Sequence, residues 1–418
     1  MIPGSESTLE HVVIRRKTLR TLSTAQIIAG LGTAGAIPAG ALLVLDISHS
    51  EAIAGLAQTF SVLGSALMAV PLANITQRGG RRAALASGYL IGAIGALLTV
   101  VGGASRIFPL VFLGILFVGA ASASGYQARF AATDLAAEHH RGRDLSYVVW
   151  AGTVGSVLGP NLVGTTSSLA NAIGLPKLTG PYLVAGVMLF IGSLVIFVFL
   201  RPDPYLLSRT EAQIAHGRRK GSTRLALKVI RDSKMASLAL AAIVIGHIVM
   251  VSIMVMTPVH MHHYNDSLSI IGFVISVHIA GMYAFSPVMG WLSDRFEPPK
   301  VILLGAIILT AAAVIAGTAP MKGSWILGAG LFLLGLGWSA TLVAGSSLLA
   351  RSVPVDLRPS VQGASDLMMN GAGALGGVVA GGIIALASYG ALCALALLPV
   401  LFLGGWAIRV IRAPHADF

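Results

Sequence analysis

Apolar runs of roughly 20 residues or more, separated by short polar stretches, extend along the whole chain. A spanning helix needs a continuous apolar run of this length, whereas the strands of a membrane barrel alternate apolar and polar residues. The continuous runs therefore predict an all-α membrane protein. Twelve transmembrane helices are expected, over residues 23–46, 52–76, 82–104, 107–133, 145–169, 180–200, 236–259, 268–292, 300–319, 324–349, 361–385 and 389–410.

The composition supports the same interpretation. Hydrophobic residues make up 55% of the 418 residues, charged residues make up 11%, and the mean hydropathy is +0.84. A soluble domain carries about 25% charged residues, and a deficit spread over the whole length does not come from one buried core. The only cysteine, Cys393, lies in an apolar run, so disulfides contribute nothing.

The positions of the basic residues explain the net charge of +12. All but three of the 28 Lys and Arg lie in the N-terminal segment, in or beside alternate loops, or near the C-terminus; the exceptions are Arg106, Lys177 and Lys322. Basic loops stay on the cytoplasmic side of a membrane. We expect a multi-pass protein of the cell (inner) membrane with both termini in the cytoplasm, whose charge faces lipid rather than nucleic acid.

A long basic connection divides the predicted spans into six plus six. The expected parts are a cytoplasmic segment over 1–22, a six-helix bundle over 23–201, a basic cytoplasmic linker over 202–234, a second six-helix bundle over 235–411 and a cytoplasmic tail over 412–418. The two halves of the sequence also resemble each other: at an offset of 217 residues, Gln77 and Arg78 match Asp294 and Arg295. Paired six-helix halves with a solute site between them are a transporter architecture.

Two loops carry a recognisable motif. The loop after span 2, residues 73–82, resembles the G-x-L-x-D-R-x-G-R-R loop of the major facilitator superfamily, with Ala73 in place of the first Gly and Gln77 in place of the Asp. The loop after span 8 keeps the Gly, the Asp and the Arg at its start. The resemblance implies a cytoplasmic gate formed by Gln77, Arg78, Gly80, Arg81, Arg82, Gly290, Asp294 and Arg295.

A third motif lies in span 5. Residues 155–164, with Gly155, Gly159, Pro160 and Gly164, are similar to the G-x-x-x-G-P-x-x-G-G signature of drug/proton antiporters of that superfamily. The segments 276–282 and 335–338 resemble an actinobacterial branch of it. The resemblance implies two pseudo-symmetric six-helix bundles that work by alternating access. One family feature is missing, since residues 114–119 of span 4 are apolar where many antiporters carry an Arg.

In this superfamily the central cavity is lined mainly by spans 1, 4, 7 and 10. The resemblance therefore implies substrate-cavity positions at Gln26, Tyr126, Gln127, His247, Met250, Met254, Trp338 and Ser339. The two methionines are one helical turn apart and provide an adaptable wall, unless they only pack against neighbours or lipid. This lining suits a partly apolar, weakly polar solute better than a sugar or a multiply charged anion.

The gate motifs have a simple physical interpretation. An Asp at the loop turn pairs with an Arg and with the positive N-terminal end of a neighbouring helix, which contributes roughly 0.3–2 kcal/mol. We call such a loop residue with its bonding partners a latch. Gln77 can form hydrogen bonds but carries no charge, so the stronger latch is expected at Asp294 and Arg295. The alternative is that these arginines only set the topology.

In span 5, the glycines four residues apart predict a groove for close helix packing, and Pro160 predicts a kink.

Ionisable residues inside spans are costly and are therefore functional candidates. The proton-coupling candidates are Asp366, Asp46, His278 and Asp134. For Asp366 the alternative is a structural pair with a cytoplasmic Arg, and for Asp46 it is an interfacial cap of span 1. His278 is either a proton switch or a hydrogen-bonded histidine between helices. Arg129 and Asp134 lie near the cytoplasmic face, where a gating or structural network is expected.

The predicted function is secondary active transport, by proton-coupled efflux of small amphipathic compounds. An uptake symporter or facilitator of the same fold is the alternative, and a membrane enzyme that uses the outer histidines His260, His262 and His263 is a third possibility. No G-x-x-x-x-G-K-[ST] phosphate loop occurs, so ATP is not the fuel within this chain. The expected partners are a small-molecule substrate, protons and the lipid bilayer. We expect no cofactor, no metal and a monomer.

Overall fold

The computed structural model describes residues 5–49, 56–208, 223–263, 268–320 and 324–412, and these residues form helices without a strand. The predicted linker residues 209–222 and most of the tail lie outside this part of the chain. The α-helices are α1 Ser5–Ser48, α2 Leu56–Ala104, α3 Phe108–Ala131, α4 Arg141–Asn161, α5 Val163–Ala172, α6 Gly180–Phe199, α7 Pro204–Leu207, α8 Thr223–Asp232, α9 Lys234–His263, α10 Leu268–Tyr283, α11 Ser286–Phe296, α12 Pro298–Gly317, α13 Ser324–Arg351, α14 Arg358–Leu386 and α15 Tyr389–Arg412.

Ten stretches of the described chain are long and apolar enough to cross a membrane. One of them, α2, is two predicted spans joined across Gly80, whose φ of 85° and ψ of 177° are not helical. Predicted span 5 is not among the ten: its first part, α4, is long enough at 21 residues but too polar, and a break at Leu162 separates α4 from α5. The helices are therefore consistent with twelve spans.

The turn at Gly80 is fixed by an acidic residue from far along the chain. Only glycine adopts such a positive φ without strain. The Asp203 carboxylate lies where a side chain at position 80 would be, and its Oδ2 accepts a hydrogen bond of 2.8 Å from the backbone N–H of Arg82. Its Oδ1 accepts from the N–H groups of Tyr205 and Leu206, so Asp203 is also the N-cap of α7. A motif loop and the end of the sixth span are thus joined.

Contacts divide the chain into two compact units. The first unit comprises residues 1–137, 147–226 and 354–367, and the second comprises 138–146, 227–353 and 368–418. Each unit therefore includes a short segment from the other half of the sequence. The domain boundaries predicted above stay a prediction.

Small residues and aliphatic side chains form the interior of each unit. In the first unit, α2 packs on α3 and α1 packs on α6, with Leu22, Leu85 and Leu189 fully buried in one cluster. In the second unit, α13 packs against α9, α10 and α12. The other face of α6 exposes Phe190, Leu194 and Phe197, as expected for a helix that faces lipid.

Candidate functional site

A buried ion pair joins the third and fourteenth helices inside the first unit. Arg129 on α3 donates from its terminal NH2 group to Oδ1 of Asp366 on α14 at 2.6 Å, and both side chains are nearly inaccessible to solvent. The guanidinium group lies over the rings of Tyr126 and Phe130, at 5.5 and 4.6 Å from their centroids. Aromatic faces attract a cation, so the two rings stabilise the Arg129 charge together with the Asp366 carboxylate.

A second buried pair lies nearby in the same unit. Arg81 donates to both carboxylate oxygens of Asp134, at 2.7 and 3.2 Å, and to Oε1 of Gln362 at 2.6 Å. Gln77 donates to the Ser360 hydroxyl at 2.7 Å. The first turns of α14 are therefore held on α2 and α3 by the ion pair of Asp366, by a charge-assisted hydrogen bond to Gln362 and by a neutral hydrogen bond to Ser360. We call Gln77, Arg81, Arg129, Asp134, Ser360, Gln362 and Asp366 the α14 network.

The second unit contains a different latch around Asp294. Its Oδ1 accepts hydrogen bonds from Arg351 at 2.8 Å and from the N–H of Gly142 at 2.9 Å, and its Oδ2 accepts from the N–H of Arg143 at 2.8 Å. These amides are the first of α4, where the helix dipole favours a negative charge. Asp294 thus has the expected kind of partners. The arginine is Arg351, whereas Arg295 is exposed.

The two arrangements correspond at the offset of 217 residues. Gln77 matches Asp294, Ser360 matches Arg143, and Asp134 matches Arg351. In the first unit Gln77, in the loop after span 2, contacts the start of α14. In the second unit Asp294, in the loop after span 8, contacts the start of α4. Gln77 makes one neutral hydrogen bond there, while Asp294 makes two charge-assisted ones there and a third to Arg351 at the end of α13; charge-assisted hydrogen bonds are about twice as strong as neutral ones.

The ion pair of Arg129 and Asp366 does not follow this repeat. The position that matches Arg129 is Ser346, and the position that matches Asp366 is Val149. Neither replacement can form an ion pair. This pair is therefore a special feature of the first unit and not a consequence of the duplicated fold.

The span 5 motif forms a close helix contact in the first unit. A Cβ atom at Gly155 would lie 2.5 Å from the carbonyl carbon of Gly30, and one at Gly159 would lie 2.6 Å from Cβ of Ala34. Both glycines therefore let α4 approach α1 closely. Gly164 has open space beside it. Pro160 lies in the last turn of α4, and its side chain is outside the described part.

We expect Gly155→Ala to destabilise the protein by about 1–3 kcal/mol, because the added methyl meets backbone that cannot move easily. The matched control is Gly164→Ala, for which no atom lies within 4 Å of the added methyl. That control should leave stability unchanged or raise it by up to about 1 kcal/mol through helix propensity. Apparent unfolding temperatures in one detergent compare the two, and equal destabilisation would contradict the packing role.

The predicted cavity residues are distributed over both units. In the first unit, Gln26 accepts from the Tyr89 hydroxyl at 2.7 Å, and Gln127 donates to the Ala69 carbonyl at 2.9 Å. In the second unit, the indole N–H of Trp338 donates to Nδ1 of His247 at 3.1 Å. Met250, Trp338 and Ser339 are buried, whereas Met254 and Tyr126 are half-buried. The half-buried members are the better placed to meet a solute.

A small polar cavity of about 20 Å³ lies within the first unit, and sequence reasoning missed it. Its polar lining residues are Thr33, Gln58, Ser61, Ser122 and Tyr182. A volume of roughly 10–15 Å³ accommodates one water molecule, so this cavity has room for little more than that. Gln58 and Ser61 lie on α2 and Ser122 lies on α3, where the sequence shows a few uncharged polar residues within apolar runs.

The remaining ionisable candidates occupy different surroundings. Asp46 is exposed and lies 3.6 Å from Arg106. His278 on α10 is buried, with Nδ1 at 2.8 Å from the Leu331 carbonyl. Of the outer histidines, His260 stacks on the ring of Tyr389 at 4.2 Å, while the side chains of His262 and His263 are outside the described part. Among the described residues no group of three metal-ligating side chains occurs.

Comparison with known proteins identifies the family. The sequence profile of the Major Facilitator Superfamily matches residues 22–270 and 238–417. The chain belongs to the major facilitator superfamily. A superfamily member from Bacillus subtilis, the uncharacterized MFS-type transporter YddS, is 37% identical over 404 residues, which cover 95% of this chain and 92% of that relative.

Two further superfamily members bear on fold and function. The riboflavin transporter RfnT of Brucella anthropi is 27% identical over 375 residues, which cover 88% of this chain and 89% of RfnT. The crystal structure of the human organic anion transporter MFSD10 has a TM-score of 0.75 at 16% identity and covers 94% of this chain and 99% of its own. The all-helical major facilitator fold is thus confirmed. The chain is a membrane transporter of this superfamily and not an enzyme.

Proposed function

We propose that this superfamily member is a proton-coupled exporter of small amphipathic compounds, with Asp366 as the group that binds the coupling proton. The observation that supports it is the buried ion pair between Asp366 and Arg129, which the duplicated fold does not require. Buried charges in membrane helices are costly and mark ion pathways and proton relays. We further propose that the protein lies in the cell membrane with both termini in the cytoplasm.

Protonation of Asp366 changes what holds α14 on α3. The charged carboxylate attracts the Arg129 guanidinium, and the two groups neutralise each other in a water-poor environment. A proton on the carboxylate removes that attraction and leaves Arg129 with an uncompensated positive charge. Separation of the two helices then costs less free energy, because water stabilises the unpaired Arg129 guanidinium. Because the two equilibria are linked, separation of α14 from α3 favours proton binding to Asp366 by the same free energy.

The contacts of the α14 network that do not involve Asp366 determine how strongly this switch acts. The hydrogen bonds of Gln77 to Ser360 and of Arg81 to Gln362 persist whether or not Asp366 is protonated. Each hydrogen bond contributes about 0.5–3 kcal/mol, so together they oppose the separation of α14 but do not prevent it. Arg81 keeps its charge partner Asp134 on the same side of the contact when α14 leaves. The network is therefore built to open at a modest cost.

One proton is enough to drive efflux. A membrane potential supplies about 2.3 kcal/mol per charge per 100 mV, and a tenfold concentration ratio costs about 1.4 kcal/mol. A single proton can thus support an outward gradient of a few tens-fold at that potential. No phosphate-binding loop occurs in the sequence.

The candidate substrate class follows from the half-buried lining residues. Tyr126 of the first unit offers an aromatic surface and Met254 of the second unit offers a polarizable one, while Gln26 is occupied by the Tyr89 hydroxyl. Each surface by itself favours a solute with a large apolar part. The relationship to a riboflavin transporter supports the aromatic part of this choice only, because riboflavin has a planar aromatic ring system but also a chain with several hydroxyl groups.

An uptake symporter or facilitator is the second candidate. The observation that favours it is the segment of α3 over residues 114–119, which has no ionisable side chain. A Cβ at Gly114 or Gly119 would meet backbone of α2 at once, so this segment serves close packing. The antiporter arginine expected from the family resemblance has no equivalent there. Proton coupling would then rest on Asp366 or on another of the candidates Asp46, His278 and Asp134.

Transport in everted membrane vesicles with an acidic interior separates the two candidates. An exporter releases protons from such vesicles and takes substrate in. We expect accumulation of riboflavin or ethidium, two amphipathic aromatic probes, and its loss on addition of a protonophore. Accumulation only in right-side-out vesicles with an acidic exterior would instead identify an uptake symporter. Vesicles without the protein are the control for passive binding of the probes.

Labelling of single cysteines tests the proposed topology. In a Cys393→Ala background, we expect Arg143→Cys and Arg219→Cys to react with a membrane-impermeant maleimide only in everted vesicles. Arg106→Cys should react only from the outside of intact cells. The reason is the basic charge of the first two segments, which keeps them in the cytoplasm. Reaction of Arg143→Cys and Arg219→Cys from opposite sides would disprove the paired bundles.

A further inference from the structure

A groove of about 450 Å³ lies on the first unit, where the basic end of α1 passes the end of α6. Three cationic side chains, Arg16, Lys17 and Arg20, form one part of its lining. Val13, Val195 and Phe199 form the apolar part. The groove thus combines a cluster of positive charge with an apolar wall.

The cations share one helical face. Each of positions 16 and 17 of α1 is three or four residues from both 13 and 20, and 24 is four residues from 20, the spacing that places side chains next to each other on a helix. Arg16, Lys17 and Arg20 are all exposed. The described lining residues include no carboxylate, and no ion pair among the described side chains involves these three cations. Their charge is therefore available to a ligand.

The depth of the groove matches that of lipid phosphates. The basic segment of α1 ends at Arg20, and its apolar run begins at about residue 23. Phe199 is the last residue of α6 and is followed closely by Arg201. Both helices therefore pass from an apolar to a charged segment at the groove. In a bilayer, this transition lies at the headgroup level.

The ligand that fits has an anion next to an apolar chain. We propose that the groove binds an anionic phospholipid, with its phosphate between Arg16, Lys17 and Arg20 and an acyl chain along Val195 and Phe199. A free phosphate ion would make no use of the apolar wall. The linker is an unsuitable occupant, because residues 209–222 carry Arg209, Arg218, Arg219 and Lys220 against one Glu. Like charges would repel it.

The hydroxyl groups of the groove complete the site. Thr24 is exposed one turn beyond Arg20, and Thr21 also lines the groove. Both can donate a hydrogen bond to a phosphate or glycerol oxygen. A zwitterionic lipid adds a positive group beside three cations, so it binds less well. The site therefore selects for net negative headgroups.

Native mass spectrometry of the full-length protein tests this proposal. We expect the purified protein to retain phosphatidylglycerol in preference to phosphatidylcholine. A variant with Arg16→Gln, Lys17→Gln and Arg20→Gln should lose roughly a hundredfold in affinity, about fivefold for each cation. The control variant carries Lys300→Gln, Arg409→Gln and Arg412→Gln, which removes the same charge from other exposed sites. Its lipid affinity should not change.

Several results would overturn the assignment. Wild-type affinity in the groove variant, or an equal loss in the control variant, would show that the groove is not the site. Displacement of the lipid by inorganic phosphate at similar concentration would show that the groove recognises phosphate and not a lipid. Lys17→Gln alone is the safeguard against misfolding, with an expected loss of about fivefold. Its unfolding temperature in phosphatidylcholine should equal that of the wild type.

Discussion

We expect Asp366→Asn to abolish accumulation driven by a pH gradient while substrate exchange without a gradient continues. The amide keeps the size of the carboxyl group and can still accept a hydrogen bond from Arg129, but it binds no proton in this range. Exchange needs only binding and the conformational change, whereas accumulation needs a proton to be carried. Flux of riboflavin or ethidium in proteoliposomes measures both. A variant that still pumps would make Asp366 structural.

The same pair predicts a large effect on stability. Asp366→Ala leaves Arg129 buried without its carboxylate partner, which should cost about 3–5 kcal/mol. The double variant Arg129→Met with Asp366→Leu removes both charges and replaces them with apolar groups of similar volume, so it should recover most of that stability. It should nevertheless fail to pump. Recovery of proton-driven accumulation in the double variant would refute the coupling role.

The second large effect is expected at Asp294. Asp294→Ala removes three hydrogen bonds and the charge partner of Arg351, so we expect a loss of about 3 kcal/mol or more. The matched control is Gln77→Ala, at the corresponding position of the first unit. It removes one neutral hydrogen bond and should cost about 1 kcal/mol.

Unfolding of both variants under the same conditions decides the comparison. The ratio of the two losses is more informative than either value, because detergent affects both variants alike. Equal losses would mean that the charge of Asp294 adds nothing to the latch. Asp294→Asn is a useful intermediate, since it turns the stronger latch into the chemical equivalent of the weaker one.

The fold was largely predictable from the sequence for a simple reason. In lipid, a span must be a continuous apolar helix, so the runs themselves predict the elements. The two differences have local causes. The spans on either side of Gly80 follow each other without a loop, because the non-helical φ and ψ of this one residue form the kink between them, and span 5 divides at Leu162, two residues after Pro160.

The partners of the candidate residues were less predictable. Asp294 follows from its motif, but Arg351 is 57 residues away and has no motif of its own. Asp366 and Arg129 were each recognised as rare intramembrane charges, yet 237 residues separate them. A helical pattern predicts which face a residue occupies but not which distant helix it meets. Tertiary packing supplies that information.

Two further residues illustrate the limits of sequence reasoning. Asp203 was missed although it precedes Pro204, and Asp before Pro is a common helix start. Trp338 was predicted as a cavity residue from its span alone, whereas the structure buries it beside His247. Its role in substrate binding stays a prediction.

Infrared difference spectroscopy of the purified protein tests the central claim most directly. The signal is the carbonyl stretch of a protonated carboxylic acid, which appears when a buried carboxylate takes up a proton. We expect such a band to appear in the wild type as the pH is lowered in the absence of substrate, and to be missing in Asp366→Asn. A band of equal intensity in that variant, or no titrating band in the wild type, would contradict proton binding at Asp366.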